Sequence, residues 1–306
     1  MEAAEKYMRR CLQLASKGVL TARPNPMVGA VIVADGRIIG EGFHIRCGEG
    51  HAEVNAFASV SDADRHLLPE ATLYVSLEPC SHYGKTPPCC DLIIAQGVRK
   101  VVVGCVDPFA KVQGRGIQKL REAGVDVTVG VLEEECRWLN RRFFTFHQHH
   151  RPYITLKWAQ TADGFIDRNG KAFAISTPMT SILVHQLRSE NDAILVGRIT
   201  AEHEHPRLDT RHWGGPDPAK LILSHDYDID AVLSECRENQ WLSLLVEGGL
   251  KTHLSFLERG LWDIIRVETC PVTVGAGTPA PSLPSNAELL RQETIDGNVI
   301  QTFCRL

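Results

Sequence analysis

The sequence predicts an α/β protein built as two domains. At 306 residues the chain is longer than one average domain. Short apolar runs alternate with amphipathic segments from end to end, the pattern of strands alternating with helices. The step Arg151-Pro152 breaks that pattern near its midpoint, because the residue before a proline is driven out of helical geometry. The domains are therefore expected over 1–150 and 151–306.

In order along the first half, Met8, Cys11, Leu12 and Leu14 recur at near-helical spacing and Gly18 supplies a stop. Strands are expected at 27–33, 73–77, 101–105 and 125–129, with helices near 51–60, 88–97 and 115–123 between them. One further helix should run from about Glu133 through Phe143 and Phe146. The pattern restarts with a strand at 153–158, a turn at Gly164 and a helix over 178–189. Strands follow at 193–196, 220–223, 242–246 and 264–269, with a last one near 299–303. The stretch 213–218 is a loop by its Gly and Pro content. Gly275-Ala276-Gly277-Thr278-Pro279-Ala280 imitates a dinucleotide-binding fingerprint, yet Pro279 and Pro281 forbid the helix that fingerprint opens. The histidines at 147, 149, 150, 203 and 205 read as a solvated helix end and a surface loop.

Composition narrows the function. Hydrophobic residues at 43% and charged residues at 23% are ordinary globular values, which excludes disorder and collagen-like scaffolds. A net charge of −4 argues against a protein that lives on nucleic-acid phosphates. No run is long enough for a transmembrane helix, and the N-terminus mixes charges where a signal peptide has an apolar core. Ten cysteines without an export signal are expected as reduced thiols, in a cytoplasmic protein, serving as core residues or metal ligands.

The chemistry is clearest at His51-Ala52-Glu53 and Pro79-Cys80, with Cys89 nine positions later. One imidazole and two thiolates suit Zn²⁺, and three protein ligands leave a fourth position for water. Zinc lowers that water's pKa towards neutrality. Glu53, two residues past a ligand, is close enough to move a proton from the water to a leaving amine. Pro79 and Pro88 suggest that Cys80 and Cys89 open helices, where the dipole favours thiolates. H-x-E…P-C…C is the signature of zinc nucleobase deaminases, with a longer second gap than usual. A structural zinc site is the alternative. It wants a fourth ligand, for which Cys90 or His82 stand nearby, and it has no use for Glu53.

These residues carry a family resemblance. Pro24-Asn25-Pro26-Met27-Val28-Gly29-Ala30, His51-Ala52-Glu53-Val54-Asn55-Ala56 and the run from Leu77 to Cys89 resemble the riboflavin-biosynthesis pyrimidine deaminases. Asp107-Pro108 and Gly114-Arg115-Gly116 are similar to a further block of that family. The insert between the cysteines separates it from cytidine and tRNA-adenosine deaminases. The resemblance implies a cytidine-deaminase-like three-layer α/β/α zinc domain with Asn25, His44, His82 and Lys85 as substrate contacts, Lys85 on the 5′-phosphate.

Family members commonly fuse this domain to an NADPH-dependent reductase of the dihydrofolate-reductase-like fold. The second half resembles it at Leu156-Lys157-Trp158-Ala159, Ala162-Asp163-Gly164, Leu187-Arg188-Ser189, 192–197, Pro206-Arg207-Leu208 and Val246-Glu247-Gly248-Gly249. The resemblance implies Lys157, Arg188, Arg211 and Glu247 as substrate contacts, with Ala159, Thr200, Glu204 and Gly249 at NADPH. A helix-end arginine serving the dipole is the plain alternative for Arg188. Three departures stand out. Ala174 precedes Ile175-Ser176 where the family has tryptophan, and Glu204-His205 replaces paired acids before Pro206. Only residues 224–241 separate two strands where the family carries an additional strand, so the second domain is expected to be shortened.

The resulting expectation is a bifunctional enzyme of riboflavin biosynthesis, acting as a homo-oligomer with neither nucleic acid nor membrane as partner. It would deaminate 2,5-diamino-6-ribosylamino-4(3H)-pyrimidinone 5′-phosphate at zinc, then reduce the ribosyl group to ribityl with NADPH. A second reading keeps the deaminase and makes residues 151–306 a silent module for oligomerisation or substrate capture.

Overall fold

The computed structural model describes residues 2–83, 87–108 and 113–305. The chain divides into two compact units, Met1–His149 and His150–Leu306.

The first unit opens with α1 (Glu2–Ala15) and a short 3-10 turn, then forms the hairpin β1 (Gly29–Ala34) and β2 (Arg37–Phe43). The hairpin turns on Asp35 and Gly36, both left-handed at φ 51° and 71°, which matches strand twist. There follow α2 (Ala52–Ala58), β3 (Thr72–Leu77), α3 (Cys89–Ala95), β4 (Lys100–Cys105), α4 (Arg115–Glu122) and β5 (Asp126–Val129). The sheet order is β2-β1-β3-β4-β5, with β3, β4 and β5 parallel and β1 antiparallel to both neighbours. Alternate residues sort to two faces. Ala30, Ile32, Leu73, Val75, Val101 and Val103 pack with Ala56 and Phe57 of α2, Ile93 of α3 and Leu120 of α4. On the other face α1 buries Met8, Cys11 and Leu14, giving three layers. β1 is buried at every position, so it reads as a continuous apolar run.

The single helix expected beyond Glu133 is two, α5 (Glu133–Leu139) and α6 (Arg141–His149). They part at Asn140, whose side chain is committed to the backbone of Met27.

The second unit comprises β6 (Tyr153–Gln160), α7 (Pro178–Ser189), β7 (Ala193–Gly197), α8 (Arg198–Glu204), β8 (Ala219–Leu223), α9 (Ile229–Glu238), β9 (Ser243–Val246), α10 (Leu250–Glu258), β10 (Ile264–Thr269), β11 (Ala287–Ile295) and β12 (Asn298–Arg305). Its sheet runs β11-β12-β10-β6-β9-β7-β8, parallel from β10 to β8, with the β11–β12 hairpin antiparallel at one edge. One face packs on α9 and α10 through Leu156, Trp158, Val232, Phe256 and Ile265. The other carries α7, whose N-terminus holds a capping box at Thr177 and Thr180. Between β8 and β9 stands α9 alone, so β8 is the other edge of the sheet. Gly275–Ala280 opens no helix and lies in the connection from β10 to β11. No helix among the described residues is long and apolar enough to cross a membrane.

Candidate active sites

In the first unit three ligand groups from distant parts of the chain converge. His51 caps the start of α2 in extended geometry, and Cys89 is the first residue of α3 after Pro88. Cys80 follows β3 in a turn, which corrects the expectation that it opens a helix. Its sulfur instead accepts the Cys89 amide hydrogen at 3.2 Å. His51 Nδ1 lies 3.3 Å from Cys89 Sγ and 3.5 Å from Cys80 Sγ. Zinc–nitrogen and zinc–sulfur bonds in a tetrahedron place such ligands about 3.6 Å apart, so the donor set fits zinc. Hydrogen bonds from Cys89 and His51 hold the Cys80 thiol down to about 4 against the cost of its burial. The same sharing pushes Cys89 up, so the metal-free pair retains one proton that a cation displaces. Cys90 is fully buried and donates towards the carbonyls of Pro79 and Gly116, a packed thiol outside the cluster.

Glu53 is the second residue of α2, in its first turn, with only 3% of its surface exposed. Burial, then the Cys80 thiolate, raise its pKa, so its carboxyl is readied to hold a proton. Glu78, just before Pro79-Cys80, accepts backbone hydrogens from Asp107, Gly114, Gly116 and Ile117. It thereby ties the end of β3 to the start of α4.

The nominated substrate contacts divide. His44 stacks edge-on against His51 with ring centres 5.4 Å apart. Its Nδ1 faces the Gly50 carbonyl at 3.2 Å and its Nε2 faces Asn25 Nδ2 at 3.1 Å. That pairing assigns the proton to Nδ1, and burial keeps the ring neutral by lowering its pKa. Asn25 and His44 are thus brought to the metal cluster. His82 is exposed two residues past Cys80, and Lys85 lies outside the described residues.

In the second unit a charged row crosses the α7 face of the sheet. Lys157 is level with Arg266 of β10, and Ala159 with Glu268. Glu247, just past β9, takes a bidentate bond from Arg188 of α7, Nε to Oε1 at 3.0 Å and Nη2 to Oε2 at 2.7 Å. Burial lowers the Lys157 pKa while Glu247 and Glu268 oppose that fall. Glu247 is pushed up by burial but ends below its ordinary value because Lys157 and Arg188 face it. Arg211 pairs with the buried carboxylate of Asp209, as does Arg207. Thr200 and Gly249 lie together, a Cβ on Gly249 standing 3.9 Å from Thr200 Oγ1. Glu204 is exposed at the last turn of α8, and no ion pair joins it to the others among the described residues.

Sequence reasoning missed Glu268, which is wholly buried and accepts from Thr180 at 2.6 Å, Asn298 at 2.7 Å and Ser176 at 2.8 Å. The signal was the alternation Ile265-Arg266-Val267-Glu268, charges at every second place in an apolar strand.

Comparison with known proteins agrees with both halves. Residues 1–105 match the family model for the cytidine and deoxycytidylate deaminase zinc-binding region. Residues 152–232 and 220–300 match that for the RibD C-terminal domain. A riboflavin biosynthesis protein RibD from Aquifex aeolicus is 37% identical over 90% of this chain and 89% of its own length. The chain belongs to the RibD family. Another RibD, from Escherichia coli, is 44% identical over 72% of this chain and 59% of its own. The crystal structure of a Thermotoga maritima diaminohydroxyphosphoribosylaminopyrimidine deaminase/5-amino-6-(5-phosphoribosylamino)uracil reductase superposes with a TM-score of 0.91. It is 33% identical and covers 100% of this chain and 99% of its own.

As a RibD-family member the chain joins a zinc deaminase to an NADPH-dependent reductase of riboflavin biosynthesis. The two RibD C-terminal matches overlap at 220–232, where this chain has β8 and the start of α9. Nothing in the relatives favours the deaminase-only reading.

Proposed function

We propose that the first unit hydrolyses the exocyclic amine of 2,5-diamino-6-ribosylamino-4(3H)-pyrimidinone 5′-phosphate to a carbonyl, releasing ammonia. The observation that carries this is the buried Glu53 beside the convergent His51, Cys80 and Cys89. Zinc, when bound there, supplies a Lewis acid that draws a water towards hydroxide at neutral pH. Glu53 takes the proton from that water and returns it to the departing nitrogen. Asn25 and His44 hold the ring, with His82 and Lys85 at the substrate's other end.

The second unit reduces the ribosyl group of the deaminated product to a ribityl chain. NADPH supplies the hydride. Lys157, Arg188, Arg211 and Glu247 hold the phosphorylated sugar, with Ala159, Thr200, Glu204 and Gly249 on the cofactor side. Lys157 lies among Glu247 and Glu268, whose carboxylates offset part of the lowering that burial imposes on its pKa. All ten cysteines are unpaired, which suits a reducing, cytoplasmic setting, and we take the working form to be a homo-oligomer.

The test is Glu53→Gln in the full chain. Ammonia release should fall by about 10²–10⁴-fold with zinc content unchanged. Undiminished turnover with zinc retained would mean that the metal is structural.

A further inference from the structure

Asn140 is 2% exposed and far in sequence from every residue of the deaminase site. Its Nδ2 donates to the Met27 carbonyl and its Oδ1 accepts the Met27 amide hydrogen, each at 2.8 Å. The side chain therefore pairs with one backbone residue as a neighbouring strand would. The segment it grips has few other anchors. Pro24 and Pro26 carry no amide hydrogen, so between 24 and 27 only Asn25 and Met27 can donate. The Asn25 amide is used within its own turn, on Ala22 at 2.9 Å. The Met27 amide is held by Asn140 alone among the described residues.

This grip has a chemical consequence two residues away. Asn25 Nδ2 meets the Nε2 of a His44 ring whose other nitrogen is fixed on Gly50. With Nδ2 donating to a neutral imidazole, Asn25 Oδ1 is turned away from His44, and no hydrogen bond engages it among the described residues. An amide oxygen so placed accepts from an amino group, and a diaminopyrimidine offers two. Left to its two prolines, the turn would fix the backbone of Asn25 but not its distance from His44.

We propose that Asn140 is a positioning residue of the deaminase, pairing with the Met27 backbone to aim Asn25 at the pyrimidine. This rests on the reading of Asn25 as a substrate contact. Asn140→Ala in the full chain should raise the KM for the diaminopyrimidine phosphate about tenfold or more, with kcat within about threefold. Zinc content and the reductase rate on the deaminated substrate should be unchanged.

A double-mutant cycle separates positioning from support. In an Asn25→Ala background, Asn140→Ala should add nothing further to KM. An equal cost in both backgrounds, or no KM change in the single variant, overturns the proposal. If Asn25→Ala itself leaves KM unmoved, the reading of Asn25 fails and takes this one with it. Should Asn140→Ala lose zinc or fail to fold, Asn140→Asp serves instead. It keeps the acceptor for the Met27 amide but sets an oxygen against the Met27 carbonyl, and its KM should rise by the same route.

Discussion

Arg188 and Glu247 form the buried ion pair that organises the reductase face, with side chains only 13% and 9% exposed. Desolvating two such charges is tolerable only while each has the other. Truncating one leaves an unpaired charge beside Lys157, and Arg188→Ala should cost about 3–5 kcal/mol in the unfolding of the second unit. A guanidinium titration of wild type and variant measures this. A change below about 1 kcal/mol would show that the pair is solvated in solution. The cluster of His51, Cys80 and Cys89, with Glu53 near it, is legible in sequence because the pattern H-x-E…P-C…C brings together residue types that suit a metal. Asn140 is not legible, since it acts on a segment 113 residues away and belongs to no local pattern, whereas Glu268 shows itself only through the alternation of charges in β10.

At the scale of elements, close approach decides geometry. A Cβ on Gly116, in the first turn of α4, would stand 2.0 Å from the Pro79 carbonyl oxygen. Real contacts do not approach that distance, so α4 can lie against the Pro79-Cys80 turn only through glycine. Gly116→Ala should push the two apart, weakening zinc retention against a chelator and lowering the midpoint of thermal unfolding. Wild-type values for both would mean that the turn moves freely. The alternation of strands and helices is readable where strands are buried on both faces, as in β1 and β7. β2 and β11 escape that reading. β2 places Gly40 and Gly42 beneath α2 where an apolar pattern would have shown, though Asp35-Gly36 announces the hairpin. β11 is exposed along most of its length and has no alternation to find. The break between α5 and α6 likewise depends on a tertiary partner, Met27.

At the scale of the molecule each unit has its own core, and the second contains a pH-dependent element of stability. His253 of α10 is wholly buried against Trp158, and neither ring nitrogen makes a well-formed hydrogen bond. Burial first, then Lys157, lower its pKa to about 4 from 6.5. The unfolded chain therefore takes up a proton below pH 6.5 that the folded chain refuses until about pH 4. Its contribution is full above that window and is lost as pH falls through it, by about 3 kcal/mol in all. His253→Leu should flatten the loss of stability between pH 7 and 5, and an unchanged slope would assign the dependence to other groups.

The reductase half is where the bifunctional account is tested hardest. β8 is one edge of its sheet, and the two family segments overlap at β8 and the start of α9. The row of Lys157, Glu247, Arg266 and Glu268 nevertheless remains intact on the α7 face. The decisive measurement is NADPH oxidation by the purified full chain supplied with the already deaminated ribosylamino-uracil phosphate. Substrate-dependent oxidation that disappears in Lys157→Ala is the expected result. No oxidation, from protein that still releases ammonia from the diaminopyrimidine, would contradict it and leave residues 151–306 as a silent partner of the deaminase.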